Sequence, residues 1–89
     1  MSYWYFNCVN DINTFVRTYG DGLTFKSVDL NMLIEHQDVL DDCLDFILDL
    51  YCSIGLNDDF EPNRIGKRLY DCLECLNDIR YKYHDLNVK

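Results

Sequence analysis

The chain has 89 residues, a formal net charge of −8 and an isoelectric point near 4.4. Phosphate contacts draw on Lys and Arg, so this balance excludes direct nucleic-acid binding and attachment to an anionic membrane surface as leading functions, and it favours steered association with a cationic protein. Hydrophobic residues make up 48% of the chain, with seven Tyr, five Phe and one Trp, which excludes a disordered polymer and predicts one small domain over residues 1–89.

A single Pro and four Gly suit long helices joined by short loops. Residues 3–19 are predicted as the first helix, because Tyr5, Cys8, Val9, Ile12, Phe15, Val16 and Tyr19 recur at helical spacing. The aromatic run Tyr3–Phe6 can also start extended, and Gly20-Asp21-Gly22 ends the element. A weaker second helix is predicted over 24–35, capped by Thr24 or Ser27, with Phe25, Val28, Met32 and Leu33 facing inward. Leu23–Lys26 reads equally well as an extended piece, and His36-Gln37 as a kink or break.

The third helix is predicted over 37–53, stopped by Gly55, and the fourth over 62–84, with Pro62 in its first turn. Ile65, Leu69, Cys72, Leu73, Leu76, Ile79 and Tyr83 form the core stripe of the fourth helix. Residues 85–89 are expected to be a frayed tail. The pattern predicts an all-α protein, a small four-helix bundle.

The third helix carries the most unusual pattern. Val39, Leu40, Cys43, Phe46, Ile47, Leu50, Tyr51 and Ile54 gather on one side. Asp38, Asp42, Asp45 and Asp49 form a stripe on the other, with Asp41 on its flank. Like charges at i, i+4 repel by roughly 0.2–0.5 kcal/mol per pair, and aspartate is a mediocre helix former. A helix that needed only solubility could alternate Glu with Lys. From Ser27 to Asn63 there is no Lys or Arg at all, and Asp58, Asp59 and Glu61 extend the acidic bias into the following loop. One explanation is a solvated face on an acidic protein; the other is a surface built to meet a positively charged partner.

Other chemistry is poorly represented. Cys72 and Cys75 form a CxxC inside a periodic helix with no second ligand pair, so they read as core thiols and no metal is expected. His36 and His84 have no nucleophile or ligand spacing around them. The run Asn57–Glu61 lacks the alternating pattern of a calcium loop, and the glycines do not cluster as in a phosphate loop. No catalytic residues and no cofactor are expected, and the chain does not read as an enzyme. Five cysteines, no basic leader at the N-terminus and no apolar membrane span predict reduced thiols in the cytoplasm.

Four segments, FVRTYGDG, LTFKSVDL, DVLDDCLDFILDLY and NDDFEPNRIGKRLYDCLECLN, together give a helix order and acidity that resemble the helical immunity proteins of bacterial toxin systems. The likeness is to the colicin D-type and contact-dependent growth inhibition immunity proteins. It covers most of the chain as a pattern of helices and charge, without a diagnostic motif. The resemblance implies a four-helix bundle that neutralises a cognate basic nuclease toxin, an RNase foremost, by setting carboxylates where RNA phosphates would lie. Asp38, Asp41, Asp42, Asp45 and Asp49, extended by Asp58, Asp59 and Glu61, are then the expected partner-binding residues. The same physics also fits a phage-encoded mimic of nucleic acid that inhibits a host defence protein. A structural module that self-associates, with the aspartates merely solvated, is the third reading.

Overall fold

Apolar residues at helical spacing give helix α1 over Tyr3–Tyr19, including the aromatic start that could have been extended. Helices α2 (Leu30–Glu35), α3 (Gln37–Ile54) and α4 (Arg64–Tyr83) follow in a computed structural model that describes residues 3–84. The expected tail at 85–89 lies outside the described residues. The architecture is an all-α, four-helix bundle, and no strand occurs among the described residues.

The second helix is shorter than the pattern predicts. It begins at Leu30 rather than residue 24, and its cap is neither Thr24 nor Ser27 but Asp29, whose carboxylate accepts from the Met32 amide at 2.8 Å. Asn13 explains the delay. Its side-chain amide donates to the Val28 carbonyl and accepts from the Val28 amide, both at 2.8 Å, and so occupies the backbone groups a longer helix would use. The segment before α2 still contributes to the core through buried Val28, with Leu23 and Phe25 packed against it.

Chain direction breaks at His36, which is extended (φ −122°) and separates α2 from α3. Helix α4 starts at Arg64 rather than Pro62, because Asn63 is the cap: its side-chain oxygen accepts from the Gly66 amide at 2.8 Å. Pro62 instead pairs with Leu56 in an isolated antiparallel bridge that closes the loop.

Helix α4 touches every other helix, α3 most extensively and then α1. Both pairings are antiparallel. On α3, Tyr51 meets Tyr70 at 6.3 Å between ring centroids, while Leu44 lies across from Asn77 and Arg80. On α1, the Tyr5 hydroxyl donates to Asp78, the Cys8 thiol lies 3.7 Å from the Asp71 carbonyl, and Arg68 pairs with Asp11 at 2.8 Å. Ile12, Leu33, Leu40, Ile47, Leu69, Leu76 and Ile79 are fully buried in one cluster. Full burial of such a side chain stabilises by about 1.5–3 kcal/mol. Tyr19, Ile65 and Tyr83, placed on core stripes by periodicity, are exposed; all three sit in the first or last turn of a helix.

The α3–α4 crossing is set by two glycines. A Cβ on Gly66 would lie 2.0 Å from the Gly55 carbonyl oxygen and 3.1 Å from its Cα. Gly55 ends α3 with a right-handed backbone (φ −89°), so its value is closeness of approach and not a left-handed cap. Asn63 stitches the same corner, with its side-chain amide donating to Ile54 O at 2.9 Å and its backbone amide donating to Gly55 O at 2.9 Å.

Candidate protein-binding surface

Helix α3 is held by its apolar face. Leu40, Cys43 and Ile47 are buried, and Val39, Phe46, Leu50, Tyr51 and Ile54 are partly buried around them. That orientation leaves Asp38, Asp42, Asp45 and Asp49 exposed as one row, with Asp41 half-buried on its flank. At 1.5 Å rise per residue, successive members of the row stand about 4.5–6 Å apart along the axis. None of the five engages a cation among the described residues. Of the basic residues of α4, Arg68 pairs with Asp11 and lies over the Phe15 ring, and Lys82 pairs with Asp78 and lies over the Tyr5 ring, while Arg80 lines a groove that Asp45 also lines. Helix α3 itself carries no Lys or Arg, so its exposed row has charge of one sign.

The remaining acidic candidates are not alongside this row. Asp58, Asp59 and Glu61 are exposed on the loop at the C-terminal end of α3. This loop has its own order. Asn57 N donates to Glu61 O at 2.7 Å, Phe60 N donates to Asn57 O at 2.9 Å, and Asp59 accepts from the Glu61 amide at 3.2 Å. Asp59 therefore shapes the loop as well as carrying charge.

Three apolar residues of this surface were not singled out by sequence reasoning. Phe60 has φ +64° and is 81% exposed, so the loop presents an aromatic ring from a left-handed backbone. Leu48 and Tyr70 are 50% and 51% exposed and line a groove between α3 and α4. Leu48 was legible as an apolar residue off the core arc, between Asp45 and Asp49; the backbone of Phe60 had no sequence signal. Tyr51, placed on the apolar side of the third helix by periodicity, is half-buried against Tyr70.

No protein-family model, curated protein or solved structure matches this chain. Its function therefore rests on its own chemistry.

The cysteines and histidines have structural placements. Cys72 and Cys75 face the core with Cys8 and Cys43, and Cys52 alone is exposed. Burial pushes the Cys43 and Cys72 thiols up to about 12, and raises Cys8 and Cys75 in the same direction. Such thiols are poor nucleophiles. Among the described residues, no group of three or more His, Cys, Asp or Glu could hold a metal ion. His84 donates from Nε2 to the Leu33 carbonyl at 2.8 Å and ties the end of α4 to α2. No helix among the described residues is long and apolar enough to cross a membrane.

Proposed function

We propose that this protein is an immunity-type inhibitor that acts by binding, not by catalysis, on a basic protein in the cytoplasm, a cognate nuclease toxin foremost. The observation that supports this most is the row of exposed carboxylates on α3, none of them paired with a cation among the described residues. A nuclease cleft must neutralise closely spaced phosphates, one charge per about 3.4 Å of strand axis in duplex DNA. A row of carboxylates about 4.5–6 Å apart is of the same order and can occupy the same cationic groups. Charge of one sign on a rigid helix also raises the encounter rate, which suits an inhibitor that must reach a toxin before its substrate does.

An immunity gene lies beside its toxin gene, so the test uses the protein encoded directly upstream. Asp42→Lys combined with Asp45→Lys is expected to keep the helical content, since both positions are exposed. Affinity should fall on the order of a hundredfold, with much of the loss in the association rate. A folded double variant that binds as tightly as wild type contradicts the assignment.

A further inference from the structure

The acidic row has an apolar groove beside it. Asp41, Leu44, Asp45 and Leu48 follow one another at i, i+3, i+4 and i+7 along the flank of α3 that faces α4. Across from them, Leu73, Glu74 and Tyr70 of α4 complete the groove. Tyr70 continues it toward Tyr51 and Pro62, so one apolar track runs from Leu44 to the loop after α3. Between Leu44 and Tyr51 it covers two helical turns, about 10 Å. Half of the Leu48 surface and half of the Tyr70 surface stay in water. The charged residues that line it are Asp45, Glu74 and Arg80 on the Leu44 side of Tyr70, and Asp71 and Lys67 on the loop side.

We infer that this groove receives an amphipathic cationic helix of the partner, with apolar side chains on Leu44, Leu48, Leu73 and Tyr70, and with Lys or Arg opposite Asp45 and Glu74. Two turns of groove match anchors at i, i+4 and i+7 of such a helix. Charge complementarity selects the occupant: with a net charge of −8 and no Lys or Arg on α3, a second copy would set like charges against each other. The inference rests on the reading that the partner is basic and deepens it, because carboxylates alone set encounter and specificity while desolvated apolar anchors carry most of the affinity.

The probe is a synthetic helical peptide of about 15 residues, with Leu at i, i+4, i+7 and i+11 and Lys or Arg between them, compared with a scrambled isomer of the same composition. The wild-type protein should bind the amphipathic isomer at least about tenfold tighter than the scrambled one. Leu48→Glu adds a negative charge at an exposed position. Attraction by charge alone then predicts tighter binding, whereas loss of the apolar anchor predicts binding about tenfold weaker. Tyr70→Glu, on the opposite wall, should act the same way. Equal binding of the two isomers, no binding of the amphipathic one, or undiminished binding by Leu48→Glu overturns the inference. A wild-type dimer that Leu48→Glu dissociates also overturns it, since a second copy would then fill the groove. The two readings separate in the upstream-encoded protein: binding lost on charge reversal but indifferent to Leu48→Glu leaves the acidic row and removes the groove. Peptide selectivity without any binding of that protein does the reverse.

Discussion

Phe60 pairs a left-handed backbone with a side chain that gains almost nothing from burial. That conformation costs an L-residue roughly 1–2 kcal/mol, and only glycine adopts it freely. Phe60→Gly is therefore expected to be more stable than Phe60→Ala by about 1 kcal/mol, because alanine removes the ring but keeps the strain. In a domain of this size that difference separates the thermal midpoints by about 4–8 °C. Equal midpoints, or a more stable alanine variant, would contradict the strain assignment. Periodicity made the exposed aspartates and the core cysteines legible at this scale, because both follow from angular position on a helix. It carried no information on the backbone angle of Phe60. Nor could it register Asn13 reaching across to Val28, a contact made in space between residues distant in the chain.

At the scale of elements, the glycine contact between α3 and α4 reverses an ordinary rule. Gly→Ala inside a helix normally stabilises by roughly 0.5–1 kcal/mol. At Gly66 the added methyl would sit 2.0 Å from the Gly55 carbonyl oxygen, so the two helices would have to separate. Gly66→Ala is expected to destabilise by about 1–3 kcal/mol, read from urea unfolding. A stabilised variant would show that the crossing is loose. The boundaries of α1 were readable because seven apolar positions keep one period and a Gly-Asp-Gly turn ends it. The start of α2 was not, since Thr24, Ser27 and Asp29 are all acceptable caps and the choice is made by Asn13. At α4, Pro62 and Asn63 both announce a helix start, and the closed loop gives the role to Asn63.

At the scale of the whole molecule, four of the five thiols are buried. Each has a folded-state value above its ordinary value, with Cys43 and Cys72 near 12, so on raising the pH the unfolded chain ionises its thiols first. The stability these thiols contribute is complete below about pH 9 and is lost as the pH rises from there toward 12, by at most about 1.4 kcal/mol per pH unit for each thiol. Unfolding in urea under reducing conditions should show lower stability at about pH 10 than at about pH 8. A thiol reagent at neutral pH should modify Cys52 quickly and the other four only on unfolding. Stability that holds or rises across that interval, or several fast thiols in the folded protein, would contradict this burial. The all-α class was legible from the sequence because four periodic segments leave few ways to cover their apolar faces. The partner was not, since a charged face specifies the sign of what it meets and little more.

Whether the aspartate row on α3 steers and holds a basic protein is read most directly from the association rate with the protein encoded upstream as a function of salt. Steering by the row requires tight binding with an association rate that falls by about an order of magnitude or more between roughly 50 and 500 mM salt, and a slope reduced in the Asp42→Lys, Asp45→Lys variant. Tight binding at a rate indifferent to salt, or no binding at all, would contradict it.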